Sequence, residues 1–227
     1  MKYRLILKES TGSNIIQDLY NQDLDSIDFI RVIQFCFKEM SSILNIDADI
    51  FDVKPSINVK SNRNFSSYSI NNGKIQYSIE YSKQKFKTYS PWHKVYVILH
   101  EIGHTFQFAI VGMIYNTYFK GTNYIFKEPK VTYEEEAADI FASYFLLKYC
   151  KYKDVKRFLY NFIYPYSHIE KDSDLTKVRT NERHYGNLYN KMLFVYNVMR
   201  ANKIKKIYEP YLASIKKKSN WVIQNEI

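Results

Sequence analysis

Two histidines four residues apart, with a glutamate directly after the first, stand in the stretch His100-Glu101-Ile102-Gly103-His104. On a helix, positions i and i+4 share one face a turn apart, so both imidazoles can reach one metal ion. Glu101 is turned about 100° around the axis. It falls outside the same tetrahedral shell, but it can meet a water at the metal and serve as general base. Gly103 leaves the helix surface bare beside His104, so another backbone can approach. With five His and twelve Glu in 227 residues, chance yields the pattern only about 0.006 times. The competing readings are two hydrogen-bonded core histidines or a metal-free relic.

A catalytic zinc shell needs three protein ligands, and two imidazoles leave it one short. The other histidines are His93, His168 and His184, and the spacing that would place a third His six residues beyond the second meets Ile110. A carboxylate is therefore needed. The run Glu135-Glu136-Ala137-Ala138-Asp139 supplies it, 31 residues beyond His104. Glu135 and Asp139 are again i and i+4. Glu135 can bind metal, and Asp139 can take the proton on the far nitrogen of a ligand imidazole. Ala138 keeps the two helices close. Glu136 is the competing ligand. Thr132-Tyr133-Glu134-Glu135 also reads as a capping box, in which Glu135 folds back to the helix start. His93 reads as an exposed first-turn residue, and Phe141, Tyr144 and Phe145 as core.

HExxH on one helix and ExxAD on the next resemble the gluzincin metallopeptidases. The string VYVILHEIGHTFQ followed by EEEAAD is similar to bacterial neutral zinc metallopeptidases (HExGHxxQ), to the core of CAAX-type proteases and to small peptidases that cleave phage repressors. The likeness covers roughly residues 70–145. It implies a zincin-like fold with zinc held by His100, His104 and Glu135, Glu101 as base and Asp139 as orienting acid. It also implies an edge strand above the active helix to hold substrate backbone, a place given to Lys74–Tyr81. The chain departs from the CAAX-type pattern in lacking transmembrane helices and the later Thr-His-Pro-Ser segment. The nearest counterpart, VRTNERHYGNLYN, carries Arg183. Arg183, His184 and Tyr185 are candidates for holding a developing oxyanion, with a structural role for Arg183 an equal alternative.

These residues need elements to position them. Ser90 at N-cap and Pro91 at N1 open the histidine helix, which the pattern carries to Gly112. Thr132 caps the helix YEEEAADIFASYFLLKYC. Upstream, Lys2–Lys8 reads as a strand, Asp25 as the cap of a long helix through Ile46, Ser56–Lys60 as a strand and Ser61–Ser67 as a loop. YSINNGKIQYSIEY reads as a hairpin turning at Asn72-Gly73. Gly121 and Pro129 bracket a loop, a short helix spans about 153–163, residues 166–179 are loop, and the rest from Asn181 is helical. Strands first and helices after indicate an α+β fold, a single zincin-like domain over residues 1–227.

Composition fits that frame. Hydrophobic residues make up 46% of the chain, and there are 22 Tyr and 15 Phe. No apolar run reaches the ~18–20 residues of a membrane span, and no signal peptide is visible, so a cytoplasmic protein is expected. Cys36 and Cys150 lie in apolar helical stretches and read as reduced packing residues. The net charge is +10, with +6 in residues 191–227. Those lysines read as a solvated helix rather than a nucleic-acid interface. The expected activity is zinc-dependent hydrolysis of a peptide or protein substrate. The rival is a non-catalytic adaptor or nucleic-acid-binding protein on a zincin scaffold; metal binding alone does not require Glu101.

Overall fold

The apolar run around the histidines folds as the central helix of the molecule. In the computed structural model, which describes residues 11–46, 53–71, 74–118, 124–127, 134–150, 153–154, 158, 205, 208–209, 213 and 222–225, α4 spans Pro91–Tyr118. Ser90 starts it as expected, its Oγ accepting the His93 N–H at 3.3 Å. From Val95 onward nearly every described residue of the helix is buried or half-buried, as a helix apolar on all sides requires. It continues past Gly112. That glycine is not a helix stop but a gap for the sheet: a Cβ there would sit 2.8 Å from Ile75 Cδ1.

Around α4 lie α1 (Thr11–Asn21), a 3-10 turn at Leu24–Ser26, α2 (Phe29–Leu44), the strands β1 (Ser56–Asn58), β2 (Lys60–Asn71) and β3 (Lys74–Ser82), the one-turn α3 (Lys83–Phe86), β4 (Tyr124–Lys127), α5 (Glu134–Tyr149) and β5 (Val222–Asn225). The main sheet is mixed, in the order β1-β3-β2, and β2 and β3 pack on α4. Tyr81 on β3 stacks on Phe29 at 5.0 Å and donates its hydroxyl to the Ile98 carbonyl at 3.1 Å. On the opposite side α5 packs along α4. Gly103 makes this possible, since a Cβ there would lie 3.1 Å from the Ala138 Cα. The architecture is α+β, with a small mixed sheet and the main helices packed about α4. Among the described residues no helix is long and apolar enough to cross a membrane.

Several expectations change. The cap of α2 is Asp28, whose Oδ1 accepts the Arg31 N–H at 3.1 Å. Ile27 is extended and separates the helix from the 3-10 turn, which leaves Asp25 to pair with Lys83. Asn45 ends α2 in the left-handed region at φ 53°. Ser61–Ser67 is strand, not loop. Its polar side chains hid the pattern because they make partners: Asn64 Oδ1 accepts the Ser82 N–H at 2.8 Å where the β2–β3 register slips between Lys60 and Phe65. The hairpin forms, with Asn71 opposite Lys74. However, β3 is the middle strand, and the long edge strand beside α4 is β2. The segment between Gly121 and Pro129 contains β4, paired antiparallel with β5, a contact between chain positions about a hundred residues apart that no local pattern encodes. Val222–Asn225, in the stretch expected to be helical from Asn181 onward, is instead the strand β5, because it pairs with β4. The strand at Lys2–Lys8, the Thr132 cap and most of residues 153–163 and of those beyond Asn181 lie outside the described residues.

Candidate metal centre

Two helices deliver the donor groups. His100 and His104, on the α5-facing side of α4, bring their Nε2 atoms to 3.1 Å from each other. Glu135, in the first turn of α5, places Oε2 3.3 Å from His100 Nε2 and Oε1 3.5 Å from His104 Nε2. These three residues form a group able to hold a metal ion, with ligand atoms all within 4.8 Å of one another. A tetrahedral zinc ion about 2.0–2.1 Å from each donor sets donor separations of roughly 3.3 Å. The His–His distance and the distance from each imidazole to its nearer carboxylate oxygen are of that size, and two imidazoles with one carboxylate are the donor chemistry zinc takes. Glu135's carboxylate is directed at the imidazoles; Thr132 and the side chain of Glu136 lie outside the described residues.

Behind the donors, Asp139 is fully buried and its Oδ1 lies 3.0 Å from His100 Nδ1. The Tyr96 hydroxyl also donates to Oδ1. Tyr96 is one turn before His100 on the same helix, so its proximity was readable from the i, i+4 spacing, although its hydroxyl's target was not. The chain Tyr96–Asp139–His100 fixes the ring and keeps its proton on Nδ1. Burial alone would disfavour a charged His100, yet the hydrogen bonds to Asp139 and Glu135 raise it to about 10. Reciprocally, hydrogen bonds from His100 and His104 hold Glu135 well below the usual carboxylate range.

Glu101 is only 7% exposed. Its carboxylate meets Ser66 of β2, a residue that sequence reasoning placed in a loop and gave no role. His93 is not exposed: it is 5% accessible, because the Tyr89 ring covers it at 3.8 Å between centroids. Burial lowers its imidazole to about 4. Phe141, Tyr144 and Phe145 are buried, as are both cysteines, which are free thiols. Arg183, His184 and Tyr185 lie outside the described residues. Comparisons of this chain with protein-family models, with curated proteins and with solved structures found no match.

Proposed function

We propose that the chain is a zinc-dependent peptidase of zincin-like architecture, hydrolysing peptide bonds in a peptide or protein substrate with water as the nucleophile. The observation that carries the reading is the convergence of His100, His104 and Glu135 from two helices into one triangle of donors, with Asp139 behind and Glu101 beside it. Zinc bound there would supply Lewis-acid polarisation of the scissile carbonyl and lower the pKa of a water. The residues do the rest. His100 and His104 bind through Nε2, and Glu135 adds the anionic donor. Asp139, itself held by Tyr96, keeps the His100 ring in one tautomer. Glu101 accepts the proton of the attacking water and returns it to the leaving amine. Arg183, His184 and Tyr185 remain the candidates for steadying the oxyanion. A carboxylate kept at the base position supports catalysis over a scaffold that only binds metal.

Two measurements test this. Elemental analysis of purified protein should find one zinc per chain, lost in His100→Ala, His104→Ala and Glu135→Ala. Glu101→Gln should keep the zinc and lose about 10²-fold or more in peptide turnover. Equal zinc in the histidine variants, or unchanged turnover in Glu101→Gln, refutes the assignment.

A further inference from the structure

Strand β2 contributes one buried hydroxyl to the histidine helix. Side chains alternate along a strand, which turns Ser66 toward α4 and Ser67 to the far face, where Ser67 Oγ lies 2.7 Å from Ser78 Oγ. Ser66 is 4% exposed. Its Oγ lies 2.8 Å from the main-chain oxygen of Glu101 and 3.0 Å from Glu101 Oε2. A hydroxyl carries one proton and can satisfy one of these acceptors at a time. The main-chain oxygen already has another hydroxyl donor, Thr105 Oγ1 at 3.1 Å. The Glu101 carboxylate has no hydrogen-bond donor other than Ser66 among the described residues. Leaving a buried carboxylate without a donor is costly, so the Ser66 proton belongs on Oε2.

We propose that Ser66 is a positioning residue for Glu101: the hydroxyl, carried on a strand, holds Oε2 in place and leaves Oε1 as the atom that exchanges the proton with water and leaving group. This rests on the peptidase reading above. A glutamate side chain has three rotatable bonds, and a base must be held within hydrogen-bond reach of its proton. Ser66 supplies that constraint from outside the helix, so its loss affects the chemical step and not the binding of metal or substrate.

The experiment compares zinc-loaded wild type, Ser66→Ala and Ser66→Thr on one peptide, the first in a quenched-fluorescent library that wild type cleaves. Ser66→Ala should lower kcat about tenfold, the scale of one hydrogen bond to a charged group. KM, and zinc affinity measured against a competing chelator, should stay within twofold, and Ser66→Thr should restore most of kcat. Unchanged kcat in Ser66→Ala, or a fall matched by an equal loss of zinc affinity, overturns the proposal. If zinc-loaded wild type cleaves no library peptide, the peptidase reading fails. The Ser66–Glu101 pairing is then read from the carboxyl carbon resonance of Glu101, identified by its disappearance in Glu101→Gln. A resonance displaced in Ser66→Ala and returned by Ser66→Thr supports the positioning role; one that does not move in Ser66→Ala overturns it.

Discussion

His93 separates what residue type says from what packing does. It lies in the first turn of α4, where sequence reasoning expects exposure, but Tyr89 shields it, and burial lowers its imidazole from 6.5 to about 4. The unfolded chain therefore binds this proton more readily than the folded one between those two pH values. Stability should fall as pH drops from 6.5 toward 4 and lose nothing further from this group below that. The shift corresponds to about 3 kcal/mol. Urea unfolding of metal-free protein at pH 7 and pH 4.5 should show a smaller pH-dependent loss in His93→Gln than in wild type; equal losses would place the acid sensitivity elsewhere. The donor residues were legible because helical geometry alone puts His100 with His104 and Glu135 with Asp139 on shared faces. Ser66 was not, because a serine among polar neighbours carries no periodic signal and acquires its partner only when β2 docks on α4.

Among the elements, the contact of α4 with α5 governs the site. Gly103 faces the Ala138 Cα and the Phe141 Cβ, which a methyl group would meet at 3.1 and 3.2 Å. The obstacle at Ala138 is backbone, so α5 itself must shift. Gly103→Ala gains up to about 1 kcal/mol of helix propensity and incurs overpacking of about 1–3 kcal/mol. The net expectation is a loss of stability together with weaker zinc binding, since Glu135 and Asp139 move with α5. Thermal melts and a chelator competition on the same variant check both; stronger zinc binding would show that the interface has slack. This close approach was readable from Gly103 and Ala138, and the hairpin from Asn72-Gly73. The order of the sheet was not. Alternation marks β3 as a strand, but only pairing decides that it lies in the middle and that β2 takes the edge.

For the molecule as a whole, distant parts of the chain close on the site. The Tyr208 hydroxyl donates to the Ala137 carbonyl at 2.8 Å, and its ring meets Phe106 at 6.2 Å, so a residue far along the chain touches both donor-bearing helices. β5 pairs with β4, which lies in the connection from α4 to α5. Val222–Asn225, close to the end of the sequence, is thus part of the fold. Removing 220–227 should lower Tm by several degrees, at about 2–4 °C per kcal/mol lost for a chain of this size. An unchanged Tm would mean that the β4–β5 ladder contributes nothing. A test of nucleic-acid binding therefore calls for neutralising lysines rather than truncating the chain, and wild type should show little retention on DNA at physiological salt.

The three donors differ in how firmly they are anchored. The side chains of His100 and His104 are 11% and 12% exposed, on a helix enclosed by its neighbours; that of Glu135 is 65% exposed, in the first turn of α5. Helix ends fray far more readily than a domain unfolds. Residence time should therefore be set by the carboxylate: a bound zinc ion escapes when one helical turn opens, while the imidazole pair stays in place. Opening one turn exposes little surface and so depends little on denaturant. Transfer of zinc from the protein to a chromogenic chelator should proceed at nearly the same rate from zero to moderate urea, well below the unfolding transition. A rate that climbed with urea as steeply as global unfolding would mean that the ion leaves only when the whole core opens. With zinc in the proposed site, a gate of one turn would let the ion exchange on a timescale separate from the lifetime of the fold.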